Sequence, residues 1–360
     1  MLRVMTETAS PSVLDAATVA AVDPTDQVAD TLAMGDHLRD AMWKAESAGL
    51  GSWDSRGGLV VAGMGGSAIG GILARAALAD QAGRPILSAK GYELPPWTTD
   101  DTTVLCASYS GDTEETLACF EAAGVIGARR VVVTSGGELG RLAREEGVPV
   151  IPVAGGLQPR AAVGYMLVAV LETAAACGAG PSLRAELDVA ADALDSLAGE
   201  WGPGGPDDGE AKTLARALHG TVPVITGMGL TSPVAYRWKC QINENAEVPA
   251  FWGELPEIDH NEIVGWSAAA SVGKLSAILL EDCDAHPRLV RRAELTAELI
   301  RDQSAGVHRI QSRGETAVER VLSLVLLGDL VSLYLAVLRG TDPEPVDVIQ
   351  RLKARLAEDD

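Results

Sequence analysis

The sequence predicts an α/β protein of two lobes, each a parallel sheet flanked by helices, and three observations carry that prediction. The 360 residues exceed one ordinary domain and suit two of roughly 150 residues each. Short apolar strands alternate with helical stretches along most of the chain, the rhythm of a parallel sheet covered on both faces. The rhythm also restarts on a repeated phrase. Val60-Val61-Ala62-Gly63-Met64-Gly65-Gly66-Ser67 is echoed by Val224-Ile225-Thr226-Gly227-Met228-Gly229-Leu230-Thr231. In both, an apolar strand meets Gly-Met-Gly and then a hydroxyl residue, which points to duplication.

In chain order, residues 1–45 read as a peripheral helical segment, with Asp26 capping a helix through Val28, Leu32, Met34 and Leu38. A first lobe over 46–200 follows. Its strands are predicted at 58–62, 85–89, 102–108, 130–134 and 148–153, with helices over 68–79, 113–123 and 139–146. Gly, Pro and acid without an apolar period mark a linker over 201–210. The second lobe, 211–360, has strands at 222–226, 276–280 and 307–311. Its helices begin at 233 and run over 322–337 and 346–356.

Composition removes several function classes. A net charge of −21 argues against nucleic acid, because duplex binding needs clustered cations to displace counterions. It does not argue against a small phosphorylated ligand, which a helix N-terminus and a few local cations can hold. The five cysteines form no C-x-x-C and sit mostly in apolar runs, as core residues of a reducing compartment do. Arg3 is the sole basic residue before Arg39, and Asp15 interrupts the apolar stretch, so no signal peptide is predicted. The apolar run 161–171 is too short to span a membrane, and 324–338 carries Asp329 in its middle. The expectation is a cytoplasmic protein without membrane partners.

Two motifs carry the chemistry. Gly63-Met64-Gly65-Gly66-Ser67-Ala68-Ile69-Gly70-Gly71 lies between a strand and a helix, where glycine lets the backbone approach a ligand and free N–H groups attract an anion. Gly63, Gly65 and Ala68 also satisfy the dinucleotide pattern G-x-G-x-x-A, but the next strand ends in Ser88-Ala89-Lys90 and lacks the acid that pattern needs. The second motif, Ser108-Tyr109-Ser110-Gly111-Asp112-Thr113-Glu114-Glu115-Thr116, sets hydroxyls and amides at another strand–helix junction, suited to phosphate oxygens. N-capping by Ser110 or Thr113 is the competing use of those hydroxyls.

These motifs resemble the sugar isomerase (SIS) domain. With Gln158-Pro159-Arg160-Ala161-Ala162, the stretch 237–266 and the C-terminal Asp342-Pro343-Glu344-Pro345-Val346 through Lys353, the chain is similar to the bifunctional phosphoglucose/phosphomannose isomerases of archaea and bacteria. Most specific are Trp238-Lys239, Gln241-Ile242-Asn243-Glu244-Asn245-Ala246 and Asp259-His260-Asn261-Glu262. The resemblance implies two flavodoxin-like SIS lobes and an intramolecular oxidoreductase that isomerises glucose 6-phosphate and mannose 6-phosphate with fructose 6-phosphate. It implies phosphate binding by Gly66, Ser67, Ser108, Ser110 and Thr113. Glu244 would be the base, His260 the ring-opening acid/base, Lys353 a group at the ring oxygen and Arg160 the cation facing an enediolate. It also implies a homodimer with shared active sites and no cofactor.

The chemistry asks for such a set independently. Moving a proton between C1 and C2 needs one carboxylate, opening the sugar ring needs a donor and acceptor, and the enediolate needs a cation. The sequence shows no H-x-H or H-E-x-x-H, so no metal site is predicted. Duller readings stand beside these: Glu244 a helix-end acid, His260 a turn residue, Lys353 a solvated lysine, Arg160 a surface ion-pair member. A non-catalytic sugar-phosphate sensor is the rival function, and it has no need of Glu244, His260 and Lys353 together. An aminosugar-phosphate synthase would bring a glutamine-cleaving module, and none is visible. The family pattern is broken at Asp112, Ile72 and Glu344, and the added charge of Asp112 beside a phosphate would weaken anion binding unless it points away.

Overall fold

The computed structural model describes residues 13–356 and 358. The expectations for residues 1–12 lie outside the described residues. Among those described, the strands form two sheets in which every pairing is parallel. The first contains β1 (Leu59–Gly63), β2 (Ile86–Ala89), β3 (Thr103–Ala107), β4 (Arg129–Thr134) and β5 (Val150–Pro152), in the order β2-β1-β3-β4-β5. The second contains β6 (Val222–Met228), β7 (Phe251–Leu255), β8 (Leu275–Glu281) and β9 (Gly306–Gln311), in the order β7-β6-β8-β9. Strands β1 and β3 are buried along their whole length, as their near-continuous Val, Leu and Ala require of a parallel sheet covered on both faces.

Each sheet reverses its strand order beside the strand that carries the repeated phrase. β1 pairs with β2 on one side and β3 on the other, and β6 sits likewise between β7 and β8. Such a switch point opens a crevice at the strands' C-terminal ends. The repeat extends to backbone conformation: Gly65 and Gly229 both adopt positive φ, +52° and +54°.

One apolar core runs through both halves. Its axis is the helix Ala317–Arg339, in which every residue from Val318 to Leu338 is buried except Arg320. Thr316 and Glu319 close its N-terminus as a reciprocal capping box, and Gly340 ends it in the left-handed conformation. This helix packs on Gly65–Leu78, Arg184–Trp201 and Ser232–Asn245, so the second half of the chain supports helices of the first. It is long and apolar enough to cross a membrane by composition, and its apolar stretch lies wholly inside the protein.

The N-terminal region departs from the sequence reading in two ways. It is not peripheral: helix Met34–Ser47 buries Met34, Leu38, Ala41, Met42 and Ala45 against Val163–Ala176 and Arg184–Trp201. Nor does Asp26 cap one continuous helix. Asp26 is left-handed with no side-chain cap bond, and the chain breaks at Ala33 between Gln27–Leu32 and Met34–Ser47. Asp23 does the capping instead, accepting from the amides of Gln27 and Val28 at 2.9 Å each.

Candidate active site

The crevice beside β1 opens into a cavity of about 470 Å³. Its walls combine segments far apart in sequence: Met64–Ser67, Tyr109, Ser110, Thr113 and Glu115, Gln158–Arg160, Glu244, and Val346, Ile349, Gln350 and Lys353 at the C-terminal end of the chain. Of the residues singled out from sequence, Gly66, Ser67, Ser110, Thr113, Arg160, Glu244 and Lys353 meet here. Ser108 and His260 do not line the cavity.

One end has features that suit an anion. Helices Gly65–Leu78 and Glu114–Ile126 both begin at the cavity, and neither N-cap residue makes a side-chain cap bond. The first amides of a helix have no intrahelical partner and carry the positive end of its dipole. Gly66 is required by close approach, since a Cβ there would come within 2.9 Å of the Pro159 carbonyl oxygen. The loop carrying Arg160 can therefore lie directly against the glycine turn. The capping explanation of the second motif does not hold for Thr113, whose hydroxyl pairs with that of Ser108 at 2.8 Å. Ser108 is buried behind the wall and accepts from the Gly111 amide at 3.0 Å, so it builds the turn, while Ser110 and Thr113 face the cavity.

The repeat in the second lobe lacks these features. Thr231 spends its hydroxyl on the Leu280 carbonyl at 2.6 Å and accepts from the Met228 amide at 2.9 Å. At the end of β8 stand Glu281 and Asp282, ion-paired with Arg309 and Arg320 at 2.8 Å each, where the first lobe has its serines. Those positions therefore offer a phosphate no free hydroxyl of the kind Ser110 and Thr113 present. The first lobe's crevice is the one suited to an anion.

At the other end stand Glu244 and Arg160. Glu244 lies in the last turn of helix Ser232–Asn245 with its side chain 32% exposed, and its Oε2 lies 3.9 Å from Nη1 of Arg160. Burial lifts the Glu244 carboxyl above its ordinary range, against the opposing pull of Arg160, Arg237 and Lys239. Arg160 is buried, which lowers its own pKa, but it has bonds on each edge. Its Nε donates to Asn245 Oδ1 at 2.7 Å. Nη2 donates to the carbonyls of Pro343 and Glu344, the latter at 2.9 Å, and Nη1 to Gln158 Oε1 at 3.4 Å. The surface ion pair considered from sequence is thus excluded for Arg160. A fixed cation 3.9 Å from a partly exposed carboxylate is an arrangement for proton transfer with charge stabilisation.

Lys353 reaches the cavity from helix Asp347–Leu356, none of whose residues is buried. His260 is exposed at the end of the short helical turn Glu257–His260 after β7. That turn is anchored: Asp259 accepts from Arg292 at 2.9 Å and Thr296 at 2.8 Å, both on helix Pro287–Ile300.

The three departures also find their places. Asp112 turns away from the anion end, accepting from the Glu138 amide at 2.9 Å at the start of helix Gly137–Glu145. Ile72 lines a separate cavity of about 500 Å³ with Lys90, Tyr236 and Glu254. Glu344 accepts from Gln158 Nε2 at 3.1 Å and so belongs to the cradle around Arg160. Gln158, Tyr109 and Asn245 also belong to the site, although no motif in the sequence marks a role for them. Asn245 had a readable signal, for Arg237, Gln241 and Asn245 recur every fourth position on an otherwise core-facing helix.

Two parallel sheets of this order, with an anion end at the first switch point, define an SIS-type α/β protein. The solved structure of a hypothetical protein from Thermus thermophilus has the same fold, with a TM-score of 0.70 at 18% identity over 92% of this chain and 91% of that one. Residues 207–356 match the family described as bacterial phospho-glucose isomerase C-terminal SIS domain. The chain is 38% identical over 303 residues to the bifunctional phosphoglucose/phosphomannose isomerase of Caldicellulosiruptor bescii, covering 83% of this chain and 89% of that protein. Its identity to the protein so named in Aquifex aeolicus is 37%, covering 83% and 90%. The chain belongs to the bifunctional phosphoglucose/phosphomannose isomerase family, and its class is accordingly isomerase rather than oxidoreductase.

Proposed function

We propose that this protein interconverts glucose 6-phosphate and mannose 6-phosphate with fructose 6-phosphate through an enediolate. The observation that carries the reading is a single cavity with an anion end at Gly66, Ser67, Ser110 and Thr113 and a carboxylate–guanidinium pair at the other. The 6-phosphate occupies the anion end, which places the C1–C2 end of an open-chain sugar toward Glu244. Glu244 removes the proton at one carbon and returns it at the other. The Arg160 cation supplies the charge stabilisation that the enediolate needs, so the proton transfer asks for no metal. Glucose and mannose differ only at C2, and return of the proton to either face of the enediolate produces both. Lys353 serves the ring oxygen. Coupled assays with each 6-phosphate test the reading, and turnover of none of them sinks it.

The serines separate by position. Ser110→Ala should raise KM for each 6-phosphate several-fold with Tm little changed, because its hydroxyl lies in a loop facing the ligand. Ser108→Ala should instead lose about 1 kcal/mol of stability, a buried hydroxyl's hydrogen bonds being at stake. A reversed pattern in thermal melts and kinetics would reassign both.

His260 enters this scheme through a second copy of the chain. Its anchored turn projects it outward, and the neighbouring Phe251, Trp252 and Val264 are exposed apolar residues suited to burial in a contact. A C₂ dimer then sets each His260 over the partner's cavity. Mixed with exchange of subunits, His260→Ala and Glu244→Gln should recover part of the wild-type rate, because one site of each mixed dimer holds both native groups. A fully active monomer on sizing, or no recovery after proven exchange, would place His260 in its own chain's site or outside catalysis.

A further inference from the structure

We propose that Asn245, backed by Ser332, is a positioning residue that holds the Arg160 guanidinium against the Glu244 carboxylate; the inference rests on the isomerase reading above. Arg237, Gln241 and Asn245 form one buried polar face of helix Ser232–Asn245. Facing them on helix Ala317–Arg339 are Asp329 and Ser332, also buried. The two helices are held in register between these groups. The Trp238 indole donates to the Leu324 carbonyl at 2.7 Å, and a Cβ on Gly328 would fall 2.1 Å from that indole nitrogen. Little sliding is open to helices packed this closely.

The hydrogen bonds through this contact run in one direction. Arginine has donors only, so Asn245 must present Oδ1 to Arg160 Nε, as it does at 2.7 Å. Its amide nitrogen then donates to Ser332 Oγ at 2.8 Å, and the Ser332 hydroxyl donates on to the Asp329 carbonyl at 2.7 Å. The carbonyls of Pro343 and Glu344 fix the Nη2 edge of the guanidinium, and Asn245 fixes the Nε edge. Two fixed edges set the plane of the group and leave Nη1 toward Glu244 and Gln158. Glu244 precedes Asn245 by one residue and points about 100° away around the helix, out of the core and into the cavity. The residue that orients the cation is therefore bonded in sequence to the residue that moves the proton.

The test uses the full chain and two ligands measured by calorimetry. One is glucose 6-phosphate; the other is 5-phosphoarabinonate, whose carboxylate carries negative charge where the enediolate would. In Asn245→Leu, affinity for the arabinonate should fall about tenfold or more while glucose 6-phosphate changes less than about threefold, and kcat should fall more than KM rises. Ser332→Ala should move both readouts in the same direction by less, and it tests the inference if the leucine variant does not fold. A merely structural role would lower Tm without separating the two ligands. Equal losses for both ligands, or failure of the wild type to bind the arabinonate, overturn the inference. A wild type that binds the arabinonate selectively through Asn245 but turns over no sugar phosphate sinks the isomerase reading alone.

Discussion

Glu244→Gln is expected to cut isomerisation by about a hundredfold or more while leaving sugar-phosphate binding in place. The amide has nearly the same volume and can still take part in hydrogen bonds, so the cavity keeps its shape and its anion end. It cannot accept the C2 proton. Loss of a positioned general base costs typically 10²- to 10⁴-fold in rate, and kcat should fall in that range for glucose, mannose and fructose 6-phosphates alike. Exchange of the C2 proton with solvent should disappear with it, while enzyme-catalysed anomerisation, which needs ring opening but no transfer of the C2 proton, should persist. The wild type should also show the raised pKa of this carboxyl. Only the carboxylate is active, so kcat falls as pH drops through a value above the ordinary glutamate range, and stays on its plateau above it. Wild-type turnover by the purified glutamine variant, or an acid limb at or below ordinary carboxylate values, would remove Glu244 from the role.

The outline of the fold was legible because its signals are local. Apolar strands followed by glycine turns mark β1 and β6, and the repeat of Gly-Met-Gly locates both switch points. β7 escaped because Phe251-Trp252-Gly253-Glu254-Leu255 is an edge strand that holds a glycine and an acid and leaves its aromatics exposed. Helices Arg184–Trp201 and Glu210–Leu218 flank a loop whose Gly and Pro dominate a local reading, although buried Lys212 ties that loop through the carbonyls of Pro203 and Gly205 at 2.9 Å each. At the site, the meeting of Gly66, Ser67, Ser110 and Thr113 in one cavity could be read because each lies at a strand–helix junction, which has a local sequence signature. The pairing of Arg160 with Glu244 has none. It depends on contacts between distant parts of the chain that only the closed core brings about, as does the cradle of Asn245, Gln158 and Glu344. Asp329 shows the limit most clearly. It is visible in sequence as a charge that interrupts an apolar run, but nothing local says that its partner lies on another helix.

Removal of that charge alone should have the largest effect on stability of any single change considered. Asp329 takes two bonds from Arg237, at 3.0 Å to Nε and 2.6 Å to Nη2, and both residues are almost wholly buried. Asp329→Ala leaves a guanidinium in the core with its main partner gone, and breaking a buried pair in this way costs about 3–5 kcal/mol. The pair itself is worth far less than that figure, because its attraction has first to offset the desolvation of two charges. The double variant Arg237→Met with Asp329→Leu should therefore unfold at denaturant concentrations closer to the wild type than either single variant. Linear extrapolation of urea unfolding at unchanged m-value checks this. The double variant should nonetheless be a poorer catalyst, because Arg237 Nη2 also donates to the Arg160 carbonyl at 2.9 Å and so fixes the backbone of the residue facing Glu244. A loss below about 1 kcal/mol in Asp329→Ala, or a double variant no more stable than the single one, would show that the pair is not the buried lock between these helices. A stable double variant with reduced kcat and unchanged KM would instead separate the two duties of the pair, the first in holding the core together and the second in holding Arg160 still.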